Sequence, residues 1–147
     1  MVCLACDIAQ GVRQPPGGFI YESALWTVNH VISDVPWRGW LVLQPRRHVE
    51  RLHELTPEEM LEYAQVLTRL DHVLREQLDA AKVYICLFAE SADCPHVHFH
   101  VIPRYAAMTQ RGPEIFEMEK EERPAASPEE VVILAARLRA ALEALER

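Results

Sequence analysis

The sequence predicts a single α+β domain, because short strand-like runs and two longer helical segments share a chain of modest size. The chain has 147 residues, and half of them are hydrophobic. Such a chain can bury about two thirds of its unfolded surface in one core, whereas it is short for two separate domains. We therefore expect one domain over residues 1–147, with an N-terminal turn at residues 1–11 and a closing arm and helix at residues 106–147.

The chain begins with one expected helical turn and continues with five expected strands. The opening segment CLACDIAQG favours a short helical turn that Gly11 ends, and QPPGG is a turn or loop. The strands are rich in β-branched and aromatic residues, and the first two favour a hairpin. In chain order they are FIYES, LWTVNH, GWLVLQP from Gly39, VYICLFA from Val83 and HVHFHVIPRY from His96.

Two helices are predicted from their capping residues and apolar spacing, one between the third and fourth strands and one at the C-terminus. Thr56 and Glu59 form a capping box with Pro57 at the first helical position, and Ser127 and Glu130 repeat this signature. The charged segment before the second helix is broken by proline and is expected to be a loop or connecting arm. The apolar stripes are Met60, Ala64, Leu67, Leu70, Leu74 and Leu78, and then Val131, Leu134, Leu138, Leu142 and Leu145.

Composition argues against several classes of partner. The net charge of −7 disfavours a broad nucleic-acid or anionic-membrane surface, because such binding depends on positive charge that meets phosphate. The start lacks a basic segment followed by a long apolar run, and no stretch of about 18 consecutive apolar residues occurs. We therefore expect a cytoplasmic protein that binds neither nucleic acid nor membrane. Without a secretion signal, its four cysteines favour metal binding, redox chemistry or packing over a disulfide scaffold.

Three of the seven histidines, His96, His98 and His100, occupy alternate positions of the expected fifth strand. Because successive side chains of a strand point to opposite faces, the three imidazoles share one face and the intervening Val, Phe and Val side chains face the core. Strict alternation beside an apolar face disfavours ordinary surface histidines. The residues alone leave two specific interpretations open: metal ligation, or nucleophilic catalysis by an imidazole nitrogen that is unprotonated near pH 7.

The pattern His-φ-His-φ-His-φ-φ, in which φ is apolar, resembles the histidine triad (HIT) superfamily of nucleotide hydrolases and transferases, and in particular its bacterial zinc-containing type. The similarity extends to GWLVLQPRRHVERLHELTPEEM and covers about residues 3 to 105. It implies an antiparallel five-stranded sheet with a long helix between strands 3 and 4 and a C-terminal helix. It also implies a homodimer and a nucleotide or dinucleotide substrate.

The resemblance implies a two-step reaction at the α-phosphate. His98 would attack the phosphorus and form a nucleotidyl-histidine, which water or another acceptor resolves, while His100 positions and polarises the substrate. A backbone carbonyl near the third histidine would hold the hydrogen on the other ring nitrogen of His98. For nucleotide binding, the matching positions are Asn29 for the ribose hydroxyls, Ser91 as a donor in the loop before the triad, and Arg104 as a phosphate contact.

A second group of residues suggests a metal site. Cys3 and Cys6 form a C-x-x-C motif, which by itself is consistent with metal ligation, a redox pair or two buried small side chains. The resemblance implies that His48 and His96 complete a closed Cys₂His₂ site, the arrangement typical of structural zinc, and that the site fixes the N-terminal turn of residues 1–11. Cys94 is a further candidate ligand, although an ordinary loop position without a metal-binding role is the simpler interpretation.

Two departures from the family pattern bear on activity. Trp40 stands where many members have a histidine, and an indole cannot accept a proton. The loop AESADCPH carries Glu90 and Asp93 where members have glycine and glutamine donors, which should weaken polyphosphate binding. Two alternatives therefore remain: a zinc-stabilised nucleotide-binding or regulatory module with little turnover, or a metallohydrolase whose three triad histidines hold one catalytic metal. His30 is expected to be an ordinary loop histidine.

Overall fold

The structure is a computed structural model that describes residues 2–146. Its five strands form one sheet in the order β1-β2-β3-β5-β4, and every neighbouring pair is antiparallel. The predicted α+β fold with a five-stranded antiparallel sheet is therefore confirmed. The elements are α1 (Leu4–Ala9), β1 (Phe19–Glu22), β2 (Trp26–His30), β3 (Leu41–Pro45), α2 (Pro57–Leu78), β4 (Ala80–Leu87), β5 (Phe99–Tyr105) and α3 (Pro128–Leu145), with short 3₁₀ helices at Leu52–Glu54, Gly112–Glu117 and Lys120–Glu122.

Helices α2 and α3 begin where their capping residues predict. The Thr56 hydroxyl accepts a hydrogen bond from the Glu59 amide at 3.1 Å, and the Glu59 carboxylate accepts one from the Thr56 amide at 2.8 Å. Ser127 and Glu130 form the same reciprocal pair at the start of α3. Because each box satisfies amide groups that a helix start would otherwise leave unpaired, both boundaries are determined locally by the sequence.

The buried side of α2 differs from the predicted stripe in its first turn. Met60 is 36% exposed, whereas the carboxylate-bearing Glu59 is only 3% exposed. The Arg47 guanidinium donates to the Glu59 carboxylate at 3.1 and 2.8 Å, which makes burial of this charge tolerable. Further along, Val66 and Val73 join the predicted leucines in the core, because the apolar face of a core helix is wider than one row of residues.

The core lies between the sheet and the two long helices. Val97, Phe99 and Val101 belong to the same buried cluster as residues of α2 and α3, so the predicted core-facing side of the triad segment is confirmed. A smaller cluster lies apart from it, where Ile115 and Met118 of the C-terminal arm are buried with other apolar residues. The arm, expected to be a loop or connecting arm, thus contains two 3₁₀ helices, of which the first is anchored by the buried Ile115.

Strand β5 begins at Phe99, three residues later than predicted. The preceding Val97 amide donates to the Val49 carbonyl at 2.6 Å, so this part of the chain is bonded to the turn after β3 instead of to a neighbouring strand. Strand β4 also shifts, since it starts at Ala80 and ends at Leu87. Ala89 has a φ of 52°, a left-handed conformation that a strand does not adopt, which explains the earlier end.

The prediction that His30 is an ordinary loop histidine is wrong. His30 is the last residue of β2 and is fully buried. Its Nε2 accepts a hydrogen bond from the Gly39 amide at 3.0 Å, so the ring hydrogen resides on Nδ1, which donates to the Val31 carbonyl at 3.1 Å. Burial lowers the pKa of this imidazole. The neutral ring therefore links the end of β2 to the residue that precedes Trp40.

Gly39 is expected to be essential to this corner of the fold. Its φ is +81°, and a Cβ atom here would overlap the Leu78 side chain and lie 3.1 Å from Pro103 Cγ. We expect Gly39→Ala to lower the free energy of unfolding by about 2–4 kcal/mol, from backbone strain and the clash together. Gly112→Ala is the matched control, because Gly112 has a φ of +57° with no atom within 4 Å of the added Cβ. Urea unfolding should show the larger loss for Gly39→Ala; equal losses would contradict the steric argument.

Within residues 2–146, no helix combines the length and the apolar character that crossing a bilayer requires.

Candidate functional site

A cavity opens on the sheet beside the triad, between α1 and the loop that precedes β5. Both His98 and His100 line it, together with Asn29 at the end of β2 and Ser91 of the loop. Its remaining wall is largely apolar and includes Leu4 and Ile8 of α1 and Val31, Ile32 and Val42 of the sheet region. The cavity thus combines an apolar surface with a few polar groups, as small-molecule sites commonly do.

His98 has a defined tautomer. Its Nδ1 lies 2.7 Å from the backbone carbonyl oxygen of His96, and a carbonyl can only accept, so Nδ1 carries the hydrogen. Nε2 is then left with a free lone pair, as a nucleophile requires. The resemblance places the supporting carbonyl near the third histidine, whereas in this chain it is the carbonyl of the first. The triad segment therefore supplies both the ring and the group that orients it.

His100 is held by a contact that the sequence does not reveal. The Trp40 indole N–H donates to Nδ1 of His100 at 3.0 Å, and the two rings meet edge to face. Burial lowers the pKa of His100 to about 4, and the charge on His98 when protonated acts in the same direction. The ring centroids of His98 and His100 are 4.9 Å apart. The neutral ring of His100 therefore lies beside the ring of His98 at the cavity.

Of the three predicted nucleotide-binding residues, two lie at the cavity and one does not. The side-chain amide of Asn29 donates to the His30 carbonyl at 2.8 Å, while its Oδ1 is buried without a hydrogen-bond partner. Ser91 lies at the cavity, in a tight turn in which its carbonyl accepts from the Cys94 amide. Arg104 does not line the cavity; it lies further along β5 and donates to the Tyr105 carbonyl at 3.3 Å. The structure therefore brings Asn29 and Ser91, but not Arg104, to the triad.

The four predicted metal ligands lie together. One side-chain atom from each of Cys3, Cys6, His48 and His96 falls within 4.8 Å of the others. Cys6 Sγ is 3.2 Å from His48 Nδ1 and 3.5 Å from His96 Nδ1, and Cys3 Sγ is 3.8 Å from His96 Nδ1. A tetrahedron with Zn–S bonds of about 2.3 Å and Zn–N bonds of about 2.0 Å has edges of about 3.3–3.8 Å. The donor set and spacing therefore fit one tetrahedral metal ion.

Outer contacts orient both histidines toward the centre of this cluster. His96 Nε2 donates to the Pro45 carbonyl at 2.9 Å, and His48 Nε2 lies 3.2 Å from the Glu50 carboxylate. With hydrogen held on Nε2, each ring presents the Nδ1 lone pair to the cluster, which is the usual arrangement around metal-binding histidines. Burial lowers the pKa of His96 to about 4, so its ring is neutral and able to ligate.

The Cys6 thiol of the cluster needs a nearby cation in order to ionise. Burial, followed by the hydrogen bond and the charge of neighbouring Cys3, raises the pKa of Cys6 to about 11. A divalent ion would reverse this preference, because thiolates are stabilised by a nearby positive charge. Cys94, the further candidate ligand, is not part of the four-residue group, and its Sγ lies 3.8 Å from His98 Nδ1.

Sequence reasoning missed two features of the site. It did not find the contact of Trp40 with His100, and it assigned no role to the apolar residues between and after the cysteines. Leu4 and Ile8, which are four residues apart on α1, line the cavity, while Cys3 and Cys6 belong to the cluster with His48 and His96. The helical spacing in CLACDI was the available signal for the second feature.

Comparisons with known proteins agree with this architecture. An uncharacterized HIT-like protein of Methanocaldococcus jannaschii is 27% identical over 110 residues, which cover 71% of this chain and 80% of that protein. A crystal structure of a histidine triad nucleotide-binding protein from Sulfolobus tokodaii has a TM-score of 0.72 at 21% identity, covering 99% of this chain and 95% of that one. A zinc-bound histidine triad family protein from Mycobacterium smegmatis has a TM-score of 0.65 at 25% identity, covering 98% and 95%.

The family model described as the HIT domain matches residues 13–107, which is more than half of the chain and includes the whole triad segment. This protein therefore belongs to the HIT domain family.

Proposed function

We propose that this protein is a nucleotide hydrolase or nucleotidyltransferase that acts at the α-phosphate of a nucleoside phosphoester, anhydride or phosphoramidate through a covalent intermediate on His98. The observation that carries the proposal is the hydrogen bond of 2.7 Å between His98 Nδ1 and the His96 carbonyl. It leaves an imidazole lone pair on Nε2 of a residue that lines the cavity.

The reaction has two steps, in which the leaving group takes up one proton from solvent and the attacking water returns one proton to solvent. In the first, the Nε2 lone pair of His98 forms a bond to the α-phosphorus while the bond from phosphorus to the leaving group breaks, and the leaving group departs with the electron pair. In the second, water attacks the phosphorus and the phosphorus–nitrogen bond breaks, which releases the nucleoside monophosphate and restores the imidazole. The hydrogen stays on His98 Nδ1, which donates it to the carbonyl oxygen of His96, and this oxygen stabilises the positive charge of the nucleotidyl-imidazole.

The cavity supports binding of the nucleoside part. Asn29 Oδ1 is a buried acceptor without a protein donor, and a ribose hydroxyl would supply the missing hydrogen bond. The apolar wall that includes Leu4 and Ile8 suits a nucleobase. Asp93 also lines the cavity and adds negative charge close to the phosphate position, so we expect short substrates with one or two phosphates over long polyphosphates.

We further propose that the cluster of Cys3, Cys6, His48 and His96 holds a structural zinc ion. The tetrahedral spacing supports this, as does the zinc-bound relative from Mycobacterium smegmatis. Four protein ligands leave no open position for substrate, which is typical of a structural ion. This use of His96 also argues against a metallohydrolase whose three triad histidines share one metal, because His98 and His100 are not in the metal-ligand group found among residues 2–146.

The homodimer and the cytoplasmic location remain predictions. Strand β4 forms one edge of the sheet, and Ile85 and Phe88 at this edge are exposed apolar residues. A second copy that covers them would remove a free strand edge from solvent.

The proposed function is tested by incubating the protein with adenosine 5′-phosphoramidate and with diadenosine polyphosphates in ¹⁸O-labelled water. We expect adenosine monophosphate that carries one labelled oxygen, with the phosphoramidate consumed fastest, and an acid-labile nucleotide adduct by intact mass. If nucleotides raise the melting temperature but return unaltered after long incubation, the protein is a binding module and the proposal is wrong.

A further inference from the structure

We infer that Trp40 is a positioning residue that holds His100 in the tautomer with hydrogen on Nε2, so that His100 donates a hydrogen bond to a phosphate oxygen beside His98. This inference rests on the proposed function and assigns a role to the residue that replaces a histidine of the family pattern. It concerns orientation and hydrogen bonding only, and involves no proton transfer to or from the indole.

The tautomer follows from the chemistry of the indole. The indole nitrogen is a donor only, so the contact of 3.0 Å requires His100 Nδ1 to accept. The single hydrogen of the neutral ring must then be on Nε2. If the hydrogen were on Nδ1, the N–H groups of Trp40 and His100 would point at each other in a partly buried environment, and the hydrogen bond between the two rings would be lost. The burial that keeps His100 neutral removes the doubly protonated alternative near pH 7.

Trp40 is itself fixed from several sides. Its amide donates to the Trp37 carbonyl at 3.1 Å, and its carbonyl accepts from the Val31 amide at 2.8 Å. The rings of Trp37 and Phe116 meet the indole edge to face at centroid distances of 6.0 and 6.2 Å. Because backbone and ring are both held, the indole N–H has a set direction, which a positioning residue requires.

The two histidines then present opposite groups to the cavity. His98 has hydrogen on Nδ1 and a lone pair on Nε2, whereas His100 has a lone pair on Nδ1 and hydrogen on Nε2. A phosphoryl centre needs this combination, because the phosphorus accepts an electron pair while its oxygens gain negative charge as the bond forms. The substitution that removes a proton acceptor at position 40 thus supplies a fixed donor to the neighbouring ring.

The test compares Trp40→Phe with Trp37→Phe. Both substitutions remove one indole N–H and keep an aromatic ring in the same apolar cluster, but the Trp37 indole donates to the Pro103 carbonyl at 2.9 Å and does not contact His100. Nitrogen-15 NMR of the imidazoles reports the tautomer directly, and His100→Gln identifies the signals of His100. Thermal unfolding of each variant establishes that it is folded.

In the unmodified protein and in Trp37→Phe, we expect His100 to carry hydrogen on Nε2, with a scalar coupling across the hydrogen bond between Trp40 Nε1 and His100 Nδ1 in the unmodified protein. In Trp40→Phe, the signal of His100 Nδ1 should lose the shift caused by the indole. For nucleotide turnover, kcat should fall about two- to tenfold with little change in KM, the size of effect expected for one hydrogen bond.

A His100 spectrum with hydrogen on Nδ1 in the unmodified protein overturns this inference, even if Trp40→Phe fails to fold. The inference is also wrong if folded Trp40→Phe turns over nucleotides with the kcat of the unmodified protein. Absence of turnover in the unmodified protein overturns the proposed function instead, and the NMR result for the tautomer still stands on its own.

Discussion

His98→Ala is expected to lower the turnover of nucleoside phosphoramidates by about 10³-fold or more and to abolish the nucleotide adduct. The reason is that the substitution removes the imidazole whose Nδ1 hydrogen is held by the His96 carbonyl, and with it the electron pair that attacks phosphorus. Stopped-time assays of monophosphate release and intact mass at acidic and neutral pH measure the two effects separately.

His72→Ala is the matched control for this substitution. His72 is an exposed residue of α2, outside the cavity, so its replacement should leave both rate and adduct unchanged. A second variant, His100→Gln, should form the adduct slowly but at the same residue. An adduct that persists in His98→Ala, or that peptide mapping finds on His100, would contradict the assignment of the nucleophile.

Loss of the metal is expected to have the largest effect on stability. Cys6→Ser, or treatment with a strong chelator, should lower the melting temperature by about 10 °C or more, because the proposed zinc ion would no longer fix α1 to the residues around His96. The unmodified protein should contain one zinc per chain by elemental analysis. Amides of α1 should exchange hydrogen faster after metal loss, and nucleotide affinity should fall, because Leu4 and Ile8 line the cavity.

Cys86→Ser provides the comparison for the metal prediction. Cys86 lies in β4, is partly buried and does not belong to the metal-ligand group, so the same chemical change there should cost at most about 1–2 kcal/mol and leave the zinc content intact. A protein without bound zinc, or a Cys6→Ser variant that unfolds at the same temperature as Cys86→Ser, would show that the cluster has no structural ion.

Features determined by neighbouring residues were predicted well from the sequence. The capping boxes at Thr56 and Ser127 give the starts of α2 and α3, because the donors and acceptors involved are three residues apart. The alternation of the triad segment gives its buried side for the same reason. These patterns depend on the local geometry of a helix or an extended chain and not on the rest of the fold.

Features determined by distant contacts could not be predicted. The late start of β5 depends on a hydrogen bond between Val97 and Val49, and the burial of His30 depends on Gly39. The chemistry of Trp40 was foreseen correctly as that of a group unable to accept a proton. The contact of Trp40 with His100 depends on the pairing of β3 with β5, in which Val42 lies opposite His100. The sequence of either strand alone does not determine this register.

The proposed metal site also implies an order of events during synthesis. Cys3 and His96 are separated by 93 positions, so the N-terminal helix leaves the ribosome long before its last ligand is made. A helix of six residues is too short to persist in water without tertiary contacts. In the proposed metal site, the thiols of Cys3 and Cys6 therefore stay without their last partner until His96 has been translated, and α1 is secured only then.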